Sequence, residues 1–209
     1  MTKANMTRRM LTLLAPTLLL PGLARAALGP TPDTTAGPFY PKRKPLDDDS
    51  DLVQVQGFER EAAGDILHLS GRVLDAGGVT LPGARVEIWQ CDTNGVYNHS
   101  RDRQYAMRDP AFQGFGHAIA DQDARFAFRT IVPAPYPGRT PHIHVKVYYE
   151  ARRRLTTQLF VKGHGPNDID FLYYALTAEQ RRRVDMELTP RTTASGKVFD
   201  TEIDLVLAE

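Results

Sequence analysis

The sequence predicts a mainly β chain: an antiparallel β-sandwich with long loops and one short helix. Three observations lead there. Short runs with strand-like apolar alternation recur from residue 66 onward. The 16 glycines and 15 prolines punctuate those runs with turns. Only one segment carries a helix start signal. In order, Ile66–Leu74 reads as a strand closed by the turn Asp75-Ala76-Gly77-Gly78. Ala84–Gln90 alternates, with Val86 and Ile88 on one face. Arg125–Ile131, His142–Tyr149, Leu155–Val161 and Glu202–Leu207 supply four more strands. Thr177-Ala178-Glu179-Gln180 has the form of a capping box, with Thr177 as N-cap, Gln180 reaching back and Pro190 as the stop.

Three stretches organise the 209 residues. Residues 1–26 read as an export signal. Lys3, Arg8 and Arg9 are basic, Leu11–Leu23 is apolar but too short to span a bilayer, and Ala24-Arg25-Ala26 fits a cleavage site. Arg8-Arg9 after Thr7 suits the twin-arginine route and also an ordinary secretion signal whose arginines are its positive charge, and the expected location is periplasmic. Residues 27–64 read as an extended arm, and residues 65–209 as the sandwich. Hydrophobic residues make up 42% and charged residues 24%, an ordinary globular balance. Removing Lys3, Arg8, Arg9 and Arg25 from 26 basic residues leaves 22 against 25 acidic, a net charge of −3. That balance argues against nucleic-acid binding. The single Cys91 excludes an internal disulfide. No other segment is long and apolar enough to anchor the mature form in a membrane. A homo-oligomer is compatible with the sequence.

The chemistry concentrates in Pro133-Ala134-Pro135-Tyr136-Pro137-Gly138-Arg139-Thr140-Pro141-His142-Ile143-His144. On a strand His142 and His144 share one face and Ile143 takes the other, so two imidazoles can reach one metal. The prolines stiffen the backbone that carries Tyr136. A second tyrosine, Tyr97, follows the turn signal Asn94-Gly95 just past a strand. Phenolate is a hard anionic donor that forms only where a strong Lewis acid lowers its pKa from about 10. Two phenolates and two neutral imidazoles suit a hard trivalent ion better than zinc. Ferric iron with two tyrosinates and a hydroxide is neutral, and so tolerable in a partly buried pocket. A zinc hydrolase built on His142 and His144 lacks a nearby third ligand in the sequence.

Four segments, in order, resemble the intradiol ring-cleavage dioxygenases, most closely the protocatechuate branch and its small exported relatives. They are Thr34-Thr35-Ala36-Gly37-Pro38-Phe39-Tyr40-Pro41, the Ile88-Trp89-Gln90 to Tyr97 stretch, Pro133–His144, and Thr157-Gln158-Leu159-Phe160. The resemblance implies one Fe(III) per chain, ligated by Tyr97, Tyr136, His142 and His144. It makes Arg139 the active-site arginine and Gln158 its glutamine partner, and it places Gly37 and Pro38 at the substrate pocket. It implies a catechol-type substrate cleaved with O2 between its two hydroxylated carbons to a cis,cis-muconate-type diacid. Tyr136 would be the tyrosinate that leaves and accepts a substrate proton. One departure stands out. Only five residues separate Tyr136 from His142, where larger protocatechuate enzymes carry an insertion with a tryptophan. A more open mouth that admits bulkier catechols is expected.

A second class competes with this reading. Gly71-Arg72-Val73-Leu74-Asp75 followed by Leu81-Pro82-Gly83-Ala84-Arg85-Val86 resembles the transthyretin-like and carboxypeptidase-regulatory-like binding modules. A plain module has no need for the Tyr, Tyr, His, His set. Trp89 is expected in the core, and Cys91 as a small buried apolar residue. His68, His99, His117 and His164 carry no assigned role.

Overall fold

The computed structural model describes residues 29–193 and 196–208, so the export signal predicted over residues 1–26 lies outside the described residues. Two five-stranded sheets face each other, as the sandwich reading expects. The first is built on β1 (Ile66–Asp75), flanked on one edge by β4 (Arg125–Ile131) and on the other by β9 (Gly196–Glu202) and β10 (Leu205–Leu207). β8 (Thr189–Thr193) closes that sheet against β9. The second runs β3 (Phe115–Ile119), β2 (Arg85–Trp89), β5 (His142–Tyr149), β6 (Arg152–Val161), β7 (Asp185–Met186). Hairpin neighbours pair antiparallel, whereas β9 and β10 run parallel to β1, and β7 parallel to β6.

Alternation built this core. Leu67, Leu69 and Val73 of β1 and Phe126 and Phe128 of β4 face Val86 and Ile88 of β2 and Ile143, Val145 and Val147 of β5 in one buried cluster. Each such side chain contributes roughly 1.5–3 kcal/mol on leaving water. The described arm forms no strand but is not loose. Its Leu52, Val53 and Ala62 enter that cluster, and Thr34 N donates to Thr156 O at 2.6 Å. The arm therefore reaches the edge of β6 as well as the core.

Several expectations need correction. The predicted strand Glu202–Leu207 breaks at Ile203-Asp204, where the chain passes from β9 to β10 along the same edge of β1. Ile203 N donates to Ser70 O at 2.9 Å, and a Cβ on Gly71 would collide with the Ile203 carbonyl, so only glycine allows the crossing. β8 and β9 form a hairpin whose residues are mostly exposed or half-exposed, and β3 is short; neither offered a clear alternation. The capping box is present: Thr177 Oγ1 accepts from Gln180 N at 3.2 Å and Gln180 Oε1 from Thr177 N at 2.9 Å. Its helix, α2 (Ala178–Arg182), ends long before Pro190, which stands in β8. Among the described residues β8 pairs only with β9, and such an edge tolerates a residue without N–H. A further one-turn helix, α1 (Phe171–Tyr174), was not foreseen.

Candidate metal centre

β5 sets the site. His142 and His144 lie opposite Phe160 and Gln158 of β6, Trp89 of β2 lies opposite His144, and Ile143 points into the core. The predicted two-residue periodicity thus places both imidazoles on one face. Tyr97 arrives from the loop after β2. There Asp92 Oδ1 accepts from Asn94 N at 2.8 Å and Val96 N at 3.0 Å, and Gly95 turns with φ 74°. A Cβ on Gly95 would stand 2.9 Å from Pro135 O, so glycine lets this loop meet the Tyr136 loop. The Tyr97 and Tyr136 rings meet edge-on, centroids 5.4 Å apart.

Three donors converge. Tyr97 Oη lies 3.1 Å from His144 Nε2 and 3.4 Å from His142 Nε2, and the two Nε2 atoms are 3.2 Å apart. Ligand atoms about 2.1 Å from one ion stand about 3 Å apart at a right angle and about 3.4 Å apart at the tetrahedral angle. His142 Nδ1 lies 2.7 Å from Thr140 O, which can only accept. Nδ1 therefore carries the proton, and Nε2 offers a bare lone pair to the shared centre. The Tyr136 ring lies 5.5 Å from that of His142, and its hydroxyl meets Arg139. Among the described residues no group of three or more His, Cys, Asp or Glu side chains is gathered to hold a metal. A metal at His142 and His144 must therefore draw on the phenols, and the residues present fit a hard trivalent ion.

Electrostatics favour the neutral ligand forms when no cation is bound. Burial, and then the Arg139 charge, pushes His142 down to about 4. Burial, then His142 and Arg139, pushes His144 well below its ordinary value. Burial holds the Tyr97 phenol well above the usual range. Tyr136 is also raised by burial, but Arg139 opposes that shift.

Arg139 is anchored at each guanidinium nitrogen. Nε donates to Asp170 Oδ2 at 2.8 Å, Nη1 to Tyr136 Oη at 3.3 Å, and Nη2 to Gln158 Oε1. The expected Arg139–Gln158 pair is therefore in place, and Gln158 Nε2 in turn donates to Thr35 O at 3.2 Å. A Cβ on Gly37 would lie 3.4 Å from His144 Cε1, so Gly37 borders the centre, and exposed Pro38 follows it. A cavity of about 190 Å³ lined by Gly138, Arg139, Thr140, Pro166, Ile169 and Asp170 opens beside the arginine.

Sequence reasoning missed two sets of residues. Asp170 is fully buried, caps α1 through Leu172 N and Tyr173 N, accepts from Thr140 N at 3.0 Å, and grips Arg139. Its only sequence signal was an aspartate ahead of a short apolar run. Phe39, stacked on Tyr97 at 4.4 Å, and Tyr40, edge-on to Trp89 at 4.9 Å, lie within a quoted segment but had no role. Trp89 is buried as expected, yet it belongs to a second cluster with Cys91, Tyr97 and Phe115 and stacks on His144 at 4.7 Å. Burial, reinforced by Asp92, pushes the Cys91 thiol up to about 12, which fits an inert apolar residue. His68 pairs with Asp200, and His117 hydrogen-bonds Asp48 O, so neither belongs to the centre.

Comparison with known proteins fits this geometry. The family model described as Dioxygenase matches residues 35–208. The chain is 32% identical to a protocatechuate 3,4-dioxygenase beta chain of Burkholderia cepacia, over 76% of this chain and 71% of that one. It is 30% identical to a catechol 1,2-dioxygenase of Acinetobacter baylyi, over 87% of this chain but only 64% of that longer one. Among solved structures, the dioxygenase domain of a dioxygenase carbohydrate-binding protein fusion from a cellulolytic Streptomyces superposes with a TM-score of 0.66 at 32% identity. That match covers 86% of this chain and 99% of that one. The family match spans the arm from residue 35 onward, both tyrosines, the histidine pair and Arg139, and on it the chain belongs to the intradiol ring-cleavage dioxygenases.

Proposed function

We propose that the chain holds one ferric ion through Tyr97, Tyr136, His142 and His144 and cleaves catechol-type rings between the hydroxylated carbons with O2, giving a cis,cis-muconate-type diacid. The observation that carries this reading is the convergence of Tyr97 Oη and two imidazole Nε2 atoms within 3.4 Å, beside an arginine fixed at Tyr136. Bound there, ferric iron would draw electron density from a chelating catecholate and open its ring to O2.

The chain's own residues supply the rest. Burial favours the neutral form of Tyr136, so its phenolate is a strong base for a substrate hydroxyl proton. Tyr97 is 2% exposed, whereas Tyr136 is half-buried, so Tyr136 is the phenol a substrate can reach. Arg139 keeps a permanent charge aimed at the reacting carbon, where negative charge develops. Gln158 and Asp170 hold its fork in place. Gly37 and Pro38 form the near wall of the mouth. Among the described residues nothing within 4 Å would meet a Cβ on Gly138, which supports an open mouth and bulkier catechols. Export to the periplasm belongs to the same proposal, and fractionation of cells making the full chain tests it.

The deciding experiment adds several catechols anaerobically to ferric-loaded protein and follows the tyrosinate-to-ferric absorption. O2 is then admitted and the acyclic product identified. A spectral shift followed by a muconate-type diacid is expected. Colourless protein that takes up no iron and consumes no O2 would overturn the proposal.

A further inference from the structure

The ligands of this centre differ in what orients them. His142 is fixed by its Nδ1–H bond to Thr140 O, the usual arrangement for a metal-bound imidazole. His144 Nδ1 is buried with no hydrogen-bond partner among the described residues. Its ring lies instead on the indole of Trp89, nearly parallel at 7° and 4.7 Å. Trp89 is met on its edge by Tyr40 of the arm at 4.9 Å and 72°. The Tyr97 hydroxyl meets both imidazoles and lies against the Tyr136 phenol, and its ring is covered face-on by Phe39 of the arm at 4.4 Å and 20°. Two neighbouring arm residues thus lie against the supports of two different ligands.

What holds those residues down is unusual. No backbone–backbone hydrogen bond ties residues 35–47 to the rest of the described chain. Side chains do the work: Tyr40 Oη donates to Glu87 Oε2 at 2.8 Å, Lys44 Nζ to the same oxygen at 3.1 Å, and Lys146 Nζ sits 3.3 Å from the Tyr40 ring centroid. A segment held by side chains alone sits at the low end of local stability.

We infer that residues 35–45 of the arm are a positioning element of the metal centre, with Phe39 seating Tyr97 and Tyr40 seating the Trp89–His144 stack. Arm docking and metal binding are then coupled, and the coupling is reciprocal: whatever the docked arm adds to iron affinity, iron adds to arm docking. This rests on the ferric reading of Tyr97, Tyr136, His142 and His144.

Trypsin reads the coupling directly, because Lys42 and Arg43 are exposed in this segment while Pro45 blocks cleavage after Lys44. The full chain is digested after chelator treatment and after ferric loading. Cleavage after Lys42 and Arg43 is expected to slow about tenfold on loading. Cleavage after exposed Arg182, at the end of α2, is the internal control and stays unchanged. In parallel, iron is titrated by its visible absorption into Phe39→Ala, Tyr40→Ala and Tyr40→Phe. The alanine variants should bind iron 10- to 100-fold more weakly, the range seen when outer supports of a ligand are lost. Tyr40→Phe keeps the ring on Trp89 but gives up the bond to Glu87, and its iron affinity should fall between those of the parent and Tyr40→Ala. Iron uptake by the parent with identical arm cleavage in both forms overturns the inference, as does unaltered iron affinity in both alanine variants. A parent chain that takes up no iron overturns the ferric reading itself, and this inference with it.

Discussion

Arg139 was picked out by the family resemblance, but what holds it was not legible in the sequence. Asp170 lies 31 residues further along the chain, and only the fold brings its buried carboxylate under the guanidinium. Arginine presents a planar fork that serves Asp170, Tyr136 and Gln158 together, and lysine presents a single point charge. Arg139→Lys should therefore lower kcat/KM for catechol by about 10²–10³, the scale for losing one oriented charge donor, with iron content unchanged. Parent-like turnover by Arg139→Lys would remove the arginine from the chemistry. Burial opposes ionisation of Asp170, but Arg139 and the N–H groups of Thr140 and Tyr173 outweigh it and hold the carboxyl below its usual range. Asp170→Ala leaves a nearly buried guanidinium uncompensated, which costs about 3–5 kcal/mol. Denaturant unfolding of the metal-free protein checks this, and a loss under about 1 kcal/mol would show the pair to be solvent-screened.

The elements that could be read ahead were those with one face in the core. β1, β2, β4 and β5 alternate apolar and polar residues because one side meets apolar neighbours, whereas β6 is buried on both faces from Leu155 to Phe160 and is marked by its flanking apolar residues instead. β8 is an edge strand and β9 lies between it and β1, yet most of their side chains are exposed, so pairing defines them and no apolar period marks them. The end of the arm was equally silent, since a carboxylate rather than an apolar stripe fixes it. Asp109, in the loop after Tyr97, takes Arg60 and Ala63 N from the arm and Ala111 N from its own loop. Burial resists that charge, yet the Arg60 guanidinium and the two N–H groups prevail and hold it at about 2, below the ordinary 3.8. A carboxyl depressed in the folded state stabilises fully above its unfolded pKa, and that contribution fades as pH falls through the folded one. Stability should thus decline from about pH 4 to about pH 2 in the parent. Asp109→Asn should be weaker at neutral pH by about 2 kcal/mol, the scale of hydrogen bonds to a charged group, and should lose much of that acid dependence. Denaturant midpoints at several pH values test it, and parallel curves for the two proteins would contradict it.

At the scale of the whole molecule, the four proposed ligands come from three places: the loop after β2, the proline-rich segment before β5, and β5 itself. Local sequence revealed the histidine pair, since one strand carries both. The partnership of Tyr97 with His142, 45 residues away, exists only once both sheets and the arm are assembled. An unfolded chain cannot offer that constellation, so ferric ion should bind the native state almost exclusively. Binding of that kind raises stability by about 2.7 kcal/mol when free ligand is 100 times its dissociation constant. For a domain of this size each kcal/mol moves the melting temperature by about 2–4 °C. Ferric loading should then raise the melting temperature by roughly 5–10 °C, in proportion to the logarithm of iron concentration. Tyr97→Phe discriminates between a built site and loose adsorption. It removes one hydroxyl, keeps the ring under Phe39, and should leave the metal-free melting temperature within about 1–2 °C of the parent, as expected where no core volume is lost. It should also abolish most of the iron-dependent rise. If calorimetry shows the same rise in Tyr97→Phe as in the parent, iron is binding elsewhere, and the convergence of phenol and imidazoles is packing alone.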